Sequence, residues 1–401
     1  MKVFYAECVY SQEEIEAVME VLNTSRHALM DGKAVRAFES ECPKQFQKNY
    51  GLMVNSGSSA NLLALASLQL PQGSEVITPA LTFSTTVAPI VQLGLKPVFV
   101  DVDVETLQAS PQLIINAISP RTSAVMIPNL IGNVADWKAI HSAVKNINPN
   151  ILLIEDSADT IGYTLDAETG NPYSDVTTTS FYASHIITGA GFGGFVSFKD
   201  ANYYEHARLL RGWGRRSAVF GEDEDVEKRF GELIDGIPYD AKYIFDEMGY
   251  NFLPSEISAA FANIQLAKLK TNIEIRNKNF SYLKEFVDNS FGHLFQTFSN
   301  YKGVVTPWLA FPIVIRNSDH DRSKLQIELE NRGIQTRTIF TGNILRQPVA
   351  KKYNLKSDSE FPNSDFVMRG GILLGCHHGL TLEKVKLICS ALSDSVENLG
   401  W

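Results

Sequence analysis

Apolar residues recur at helical spacing directly after a serine near the N-terminus. Ser11-Gln12-Glu13-Glu14 reads as a capping box, with Ile15, Val18, Met19 and Leu22 following on one face, so a first helix is predicted there. Asn23 to Gly32 reads as an exposed loop and Val35 to Tyr50 as a second helical stretch. Asn55 to Asn61 is a run of small residues that predicts a turn leading into a helix at Leu62–Ala66. The pattern then changes to short apolar runs: Glu75–Thr78, Pro97–Val100, Ala124–Ile127 and Ile151–Ile154. Runs of that length, separated by helical or loop segments, predict buried strands of a mostly parallel sheet covered on both faces. The β-branched and aromatic run Thr179-Ser180-Phe181-Tyr182 predicts another strand, with His185 at its end beside a glycine-interrupted loop, and Phe195–Phe198 predicts one more.

Farther along, Ala201–Leu210 reads as a helix and Ser255–Ile275 as a long helix bridging two domains. Between them lies a charged excursion, Arg215 to Lys242, containing Glu222-Asp223-Glu224-Asp225; a lid, a subunit contact and a solvated loop all fit it. Trp308–Ile315, Arg322–Arg332, Gln335–Phe340 and Leu382–Leu392 form the strand-and-helix units of a smaller C-terminal α+β domain.

Composition narrows the function. The chain has 401 residues, 44% hydrophobic and 20% charged, enough for a large core and a second domain. Its net charge of −9 argues against a nucleic-acid partner, which needs basic surface. The four cysteines, Cys8, Cys42, Cys376 and Cys389, are scattered and signal neither a zinc site nor an iron–sulfur cluster. No metal is expected; a pairing of His377 with His378 lacks a suitably spaced further ligand. The N-terminus has no signal-peptide core, and the long uncharged stretch Val76–Leu95 is broken by Pro79, Pro89 and Gly94. A cytoplasmic protein without membrane spans is therefore expected.

Candidate chemistry sits at the ends of the predicted strands. Gly57-Ser58-Ser59 precedes a helix, and unpaired N–H groups at a helix start suit a phosphate, although a serine cap has the same look. Asp156 and Asp159 stand at the carboxyl end of a buried strand, where open α/β sheets bind ligands and a carboxylate can hold a cationic ring nitrogen; a turn aspartate is the alternative. Phe83 could stack on a flat ring or lie in the core. His185 suits acid or base work because imidazole titrates near neutrality.

Taken in order, phosphate turn, aromatic, strand-end aspartate and Ser-Phe-Tyr-loop-base resemble the DegT/DnrJ/EryC1/StrS sugar aminotransferase family, with Gly249-Tyr250-Asn251, Thr336-Arg337 and Thr341-Gly342-Asn343 extending the likeness. The resemblance implies a fold-type I pyridoxal phosphate enzyme: a mostly parallel α/β domain over 1–270 and a small α+β domain over 271–401, the N-terminal helix packing on the latter. It implies that Gly57, Ser58, Ser59 and Ser180 bind the cofactor phosphate, Phe83 stacks on the ring, Asp156 pairs with the ring nitrogen and Asp159 lies near the ring hydroxyl. Asn251 would reach the neighbouring subunit's phosphate, which implies a homodimer with shared sites. His185 stands where family aminotransferases carry their lysine. A histidine there resembles the branch of 3-dehydratases acting on nucleotide-linked 4-keto-6-deoxyhexoses, with pyridoxamine phosphate as working cofactor and L-glutamate restoring it. An aminotransferase that tolerates histidine and a silent binding homologue remain as alternatives. Arg211-Gly212-Trp213-Gly214-Arg215 resembles the cluster-bearing, CDP-sugar type, yet the cysteines expected between Trp213 and Phe230 are missing, so GDP and CDP both stay open. Arg211, Arg215 and Arg337 are candidates for a diphosphate or carboxylate, with surface ion pairing as the alternative.

Overall fold

Short apolar and β-branched runs form the centre of the molecule because both of their faces are covered. The computed structural model describes residues 2–220 and 226–401. Seven strands make the main sheet: β1 (Tyr50–Val54), β2 (Glu75–Pro79), β3 (Lys96–Val100), β4 (Thr122–Pro128), β5 (Leu152–Asp156), β6 (Val176–Ser180) and β7 (Gly194–Phe198). Their order is β1-β7-β6-β5-β4-β2-β3. Every pair from β6 to β3 is parallel, and only β7 runs against its neighbours. The carboxyl ends of β1, β2, β4, β5 and β6 therefore share one edge, where ligands collect in such sheets. The mostly parallel α/β architecture expected from the sequence is what the chain adopts.

Strand β6 is Val-Thr-Thr-Thr-Ser and wholly buried. Its polar side chains are satisfied internally: Thr177 donates to Glu155, Thr178 to Asn61 and Thr179 to the Ser157 carbonyl. That satisfaction is what lets a threonine-rich strand lie in a core. Helices α1 (Gln12–Thr24), α2 (Lys33–Glu41), α3 (Gly57–Ser67) and α4 (Ser84–Gln92) follow in the first quarter of the chain. The capping box at Ser11 and Glu14 forms as expected. Helix α3 starts at Gly57, five residues before the stretch Leu62–Ala66, because the Ser56 side chain accepts from the Ser59 N–H and caps it there.

The expected single helix at Ser255–Ile275 is instead two, α5 (Glu256–Ala267) and α6 (Leu269–Phe291), meeting at Lys268. Helix α1 packs on α5: Glu14, buried, accepts from Gln265 and Lys268. The extended segment before α1 joins the C-terminal part, where Val3 bridges Ile334. A second sheet of four strands, β8 (Phe295–Gln296), β9 (Phe311–Ile315), β10 (Arg337–Thr338) and β11 (Gly371–Leu374), lies there in the order β8-β9-β11-β10. Asp101, just after β3, accepts from the N–H groups of Asn363 and Ser364 and so caps the helix Pro362–Gly370. Leu81 also bridges Asn343, and Thr341 donates to the Thr82 carbonyl. These contacts close one wall of the cavity described next.

The excursion after Trp213 holds a two-stranded hairpin, Glu232–Ile234 with Ile237–Tyr239. Its acidic run Glu222–Asp225 lies outside the described residues. No described helix is long and apolar enough to cross a membrane.

Candidate active site

A cavity of about 860 Å³ opens at the shared strand edge. It is within the size range of small-molecule sites. Gly57, Ser58, Phe83, Asp156, Asp159, Ser180, His185 and Arg337 all line it. Eight residues singled out in the sequence thus converge from positions 57 to 337.

One end is the start of α3. Its first two N–H groups, of Gly57 and Ser58, have no helical partner, and both residues line the cavity. A Cβ added at Gly57 would stand 2.6 Å from Ser180 Cβ, so only glycine lets the helix start approach β6 this closely. Ser59 is not among the residues lining the cavity: its hydroxyl lies 3.0 Å from Ser56 Oγ, and Ser56 itself lines the cavity.

Asp156, at the end of β5, is 5% exposed. Its Oδ2 accepts from Asn61 (2.8 Å) and Thr86 (2.8 Å), and Oδ1 from the Ala158 N–H (3.2 Å). Burial pushes its pKa up, and these hydrogen bonds pull the other way. Among the described residues no side-chain cation pairs with it. A buried carboxylate without a counter-cation, at the wall of a cavity, fits a ligand that brings the cation. Asp159, one turn on, accepts from the Ile131 N–H at 2.8 Å. Burial, followed by the neighbouring Asp156 charge, pushes it up to about 7. Phe83 is 49% exposed, with Phe340 edge-on at 5.8 Å, so its face is open to a ring.

His185 is not at the strand's last residue. β6 ends at Ser180, and Phe181 N–H donates to the Gly193 carbonyl, starting a loop in which His185 N–H donates to the Tyr182 carbonyl. Its ring turns back so that Nδ1 lies 3.2 Å from the Ser180 carbonyl. A carbonyl only accepts, which places the hydrogen on Nδ1 and leaves the lone pair on Nε2. Burial lowers the pKa to about 4; backbone groups of Ser180 and Ala158 oppose this, and the Arg276 charge adds to it.

Two of the arginine candidates fall away. Arg211 is 6% exposed, paired with Glu39 (2.5 Å) and Asp31 (3.4 Å), and donates to the Met53 carbonyl. It joins α2 and β1 and is outside the cavity. Arg215 lies over Trp213 (4.3 Å to the ring centre), Tyr243 and Phe245, and is also outside it. Arg337 is the one arginine or lysine that lines the cavity among the described residues, its guanidinium 5.6 Å from the Tyr5 ring. Asn251 is exposed and does not line this chain's own cavity.

Residues that sequence reasoning missed include Asn61, one turn into α3 on the face of Gly57, and Thr86, one turn into α4. Tyr5 reaches the cavity only because its segment pairs with the C-terminal part, a contact with no local signal.

Known proteins resemble this chain in sequence and in fold. The Salmonella typhimurium lipopolysaccharide biosynthesis protein RfbH is 34% identical over 378 residues, which cover 91% of this chain and 86% of that protein. A dTDP-4-dehydro-2,6-dideoxy-D-glucose 3-dehydratase from Saccharopolyspora spinosa is 34% identical over 399 residues, 95% of this chain and 83% of its own. The solved structure of E. coli GDP-4-keto-6-deoxy-D-mannose-3-dehydratase with bound hydrated PLP superposes with a TM-score of 0.86 at 27% identity, covering 98% of this chain and 100% of that one. The sequence model of the DegT/DnrJ/EryC1/StrS aminotransferase family matches residues 9–393, and the chain belongs to that family.

Proposed function

We propose that this protein is a pyridoxamine phosphate-dependent 3-dehydratase of a nucleotide-linked 4-keto-6-deoxyhexose, forming a 3,6-dideoxy-4-keto sugar for surface polysaccharide. One observation carries the reading: the cavity holds a base, His185, and among the described residues no lysine lines it. Covalent attachment of a cofactor aldehyde therefore has no partner, while proton transfer does. The 3-dehydratase relatives support the reaction class; they differ in nucleotide, dTDP in one and GDP in the other.

The residues fit the cofactor. The α3 start with Ser58 and Ser180 would hold its phosphate, Phe83 would lie on its ring, and Asp156 would hold the ring-nitrogen proton. Bound there, pyridoxamine phosphate supplies an amine for the C4 ketone and a ring that accepts electrons. With the cofactor held there, His185 Nε2 would take a proton from its amine-bearing carbon. The resulting imidazolium would give a proton to the departing C3 hydroxyl, which would leave as water, so one group would serve as base and then acid. The amine nitrogen would leave as ammonia when water releases the keto sugar, and L-glutamate would replace it; Arg337 would meet the anionic part of the sugar nucleotide or of L-glutamate. Asn251 and the exposed hairpin would complete the site of a second subunit in a homodimer.

The test is incubation with pyridoxamine phosphate, L-glutamate and GDP-, CDP- or dTDP-linked 4-keto-6-deoxyhexose, with the sugar product weighed by mass spectrometry. A product lighter by one oxygen is expected. A product carrying nitrogen instead would establish transamination and overturn the reading. His185→Asn should lower turnover by about 10²–10⁴-fold, the usual worth of a positioned acid–base group.

A further inference from the structure

Arg276 is the side chain whose surroundings its own element does not explain. It lies about a third of the way along α6, is 0% exposed, and among the described residues no carboxylate pairs with it. Its donors go to neutral groups on three other segments. Nη1 reaches the carbonyls of Trp308 (3.1 Å) and Leu309 (3.2 Å), Nε reaches His378 Nδ1 (3.2 Å), and Nη2 approaches the carbonyl of His185 itself (3.5 Å). Buried cations ordinarily have a counter-anion. Here carbonyl dipoles take that place, so the charge stays uncompensated behind the loop that carries the base.

We propose that Arg276 is a positioning residue of the active site, fixing the His185 loop through its carbonyl and adding its charge to burial in disfavouring the imidazolium. The inference rests on the reading of His185 as the proton carrier.

The surrounding groups do not cancel this effect. Facing the cavity around His185 are Asp156 and Asp159 from β5, Tyr182 from its own loop, Tyr5 from the N-terminal segment and Arg337 from β10. Asp156 spends Oδ2 on Asn61 and Thr86 and Oδ1 on the Ala158 N–H, so neither oxygen bonds the imidazole, and Asp159, pushed up by burial, is only partly ionised near neutrality. Around Arg276 stand Cys376, His377 and His378. Burial pushes the Cys376 thiol up to about 12, and burial with the Arg276 charge lowers the histidines to about 4 and about 3, so all three are neutral at neutral pH. Burial lowers Arg276 itself only to about 10, which leaves it charged.

The chemistry explains why such a charge is useful. A base with a depressed pKa is unprotonated across the neutral range. Its conjugate acid is then a stronger donor, which suits a poor leaving group such as hydroxide. The charge keeps the lone pair free for the first transfer at some loss of base strength, and it strengthens the donor in the second.

The experiment is a ¹³C-histidine NMR titration of the full-length protein without sugar, with the His185 signal assigned by its disappearance in His185→Asn. The wild-type midpoint is expected near the low value set by burial and Arg276, about 4. Arg276→Gln should raise it by about one pH unit or more, and Arg276→Lys, which keeps the charge, should hold it within about half a unit. A wild-type midpoint near the ordinary ~6.5 overturns the proposal, as does a folded Arg276→Gln with an unmoved midpoint. Should the glutamine variant fail to fold, Arg276→Lys decides: a held midpoint supports the assignment and a rise of about one unit sinks it. No sugar is present, so the result stands apart from the proposed reaction. A low, Arg276-dependent midpoint in a protein that makes no dideoxy product would discard the reaction and keep the charge assignment.

Discussion

Asp159 is a cavity residue whose charge is sensitive to conditions near neutrality. Its folded pKa, raised to about 7, means that a second negative charge enters the cavity as pH rises through that value. The ligand proposed for the cavity is itself anionic, so its binding should weaken across about pH 6–8. Asp159→Asn should flatten that dependence, and an absorbance titration of pyridoxal phosphate against both proteins at each pH measures the difference. Parallel curves for the two proteins would remove Asp159 from the site. Much at this scale was legible from spacing: Asp156 at a strand end and Ser58 at a helix start follow from where their elements terminate. Arg276 was not legible, because a lone arginine in a polar helix looks like any solvated one. Only the packing of α6 against the Trp308–Leu309 segment and the turn after β11 buries it. Arg211 failed in the opposite direction: its glycine- and arginine-rich company suggested an anion site, whereas Glu39 had already taken it.

At the level of elements, Arg211 ties the end of the helix Ala201–Arg211 to α2 and β1. Removing it leaves Glu39, whose side chain is 15% exposed, without its partner. Arg211→Met should therefore cost about 3–5 kcal/mol in urea unfolding, the usual penalty for stranding one member of a buried pair. A loss under about 1 kcal/mol would mean that Glu39 accepts a proton or finds water cheaply. The strands were legible because short apolar runs have few other solutions. Two boundaries were not. The α3 start depends on the Ser56 side chain capping Ser59, and α5 and α6 part at Lys268 without glycine or proline to announce it. His185 stands beyond the end of β6 because Phe181 N–H bonds Gly193 rather than extending the ladder.

For the molecule as a whole, pH acts through several buried groups. His185, His377 and His378 have folded pKa values of about 4, 4 and 3, below the ordinary ~6.5. Each is then deprotonated in the folded chain while the unfolded chain still binds protons, so its contribution is complete above about pH 6.5 and is lost as pH falls toward its folded value. Asp159, with its pKa raised, works in the opposite sense between about pH 4 and 7. A variant separates the two. His378→Gln should be less acid-sensitive than the wild type, the gap growing by up to about 1.4 kcal/mol per pH unit between pH 6.5 and 4. Equal slopes in chemical unfolding at pH 6.5 and 5 would show that His378 titrates normally.

The order β1-β7-β6 carries a consequence of its own. Strand β7 runs against β6 and returns to it without a crossover helix, so the loop bearing His185 has both ends pinned on adjacent strands of one sheet. Thr188 and Gly189 bond back to the Phe181 carbonyl inside it. Apart from the Nδ1 bond to the Ser180 carbonyl, the frame is held without the side chain at position 185. Chemistry at that position can be exchanged while the surrounding architecture persists, so a lineage built on this sheet could move from one reaction to another through a change at a single codon.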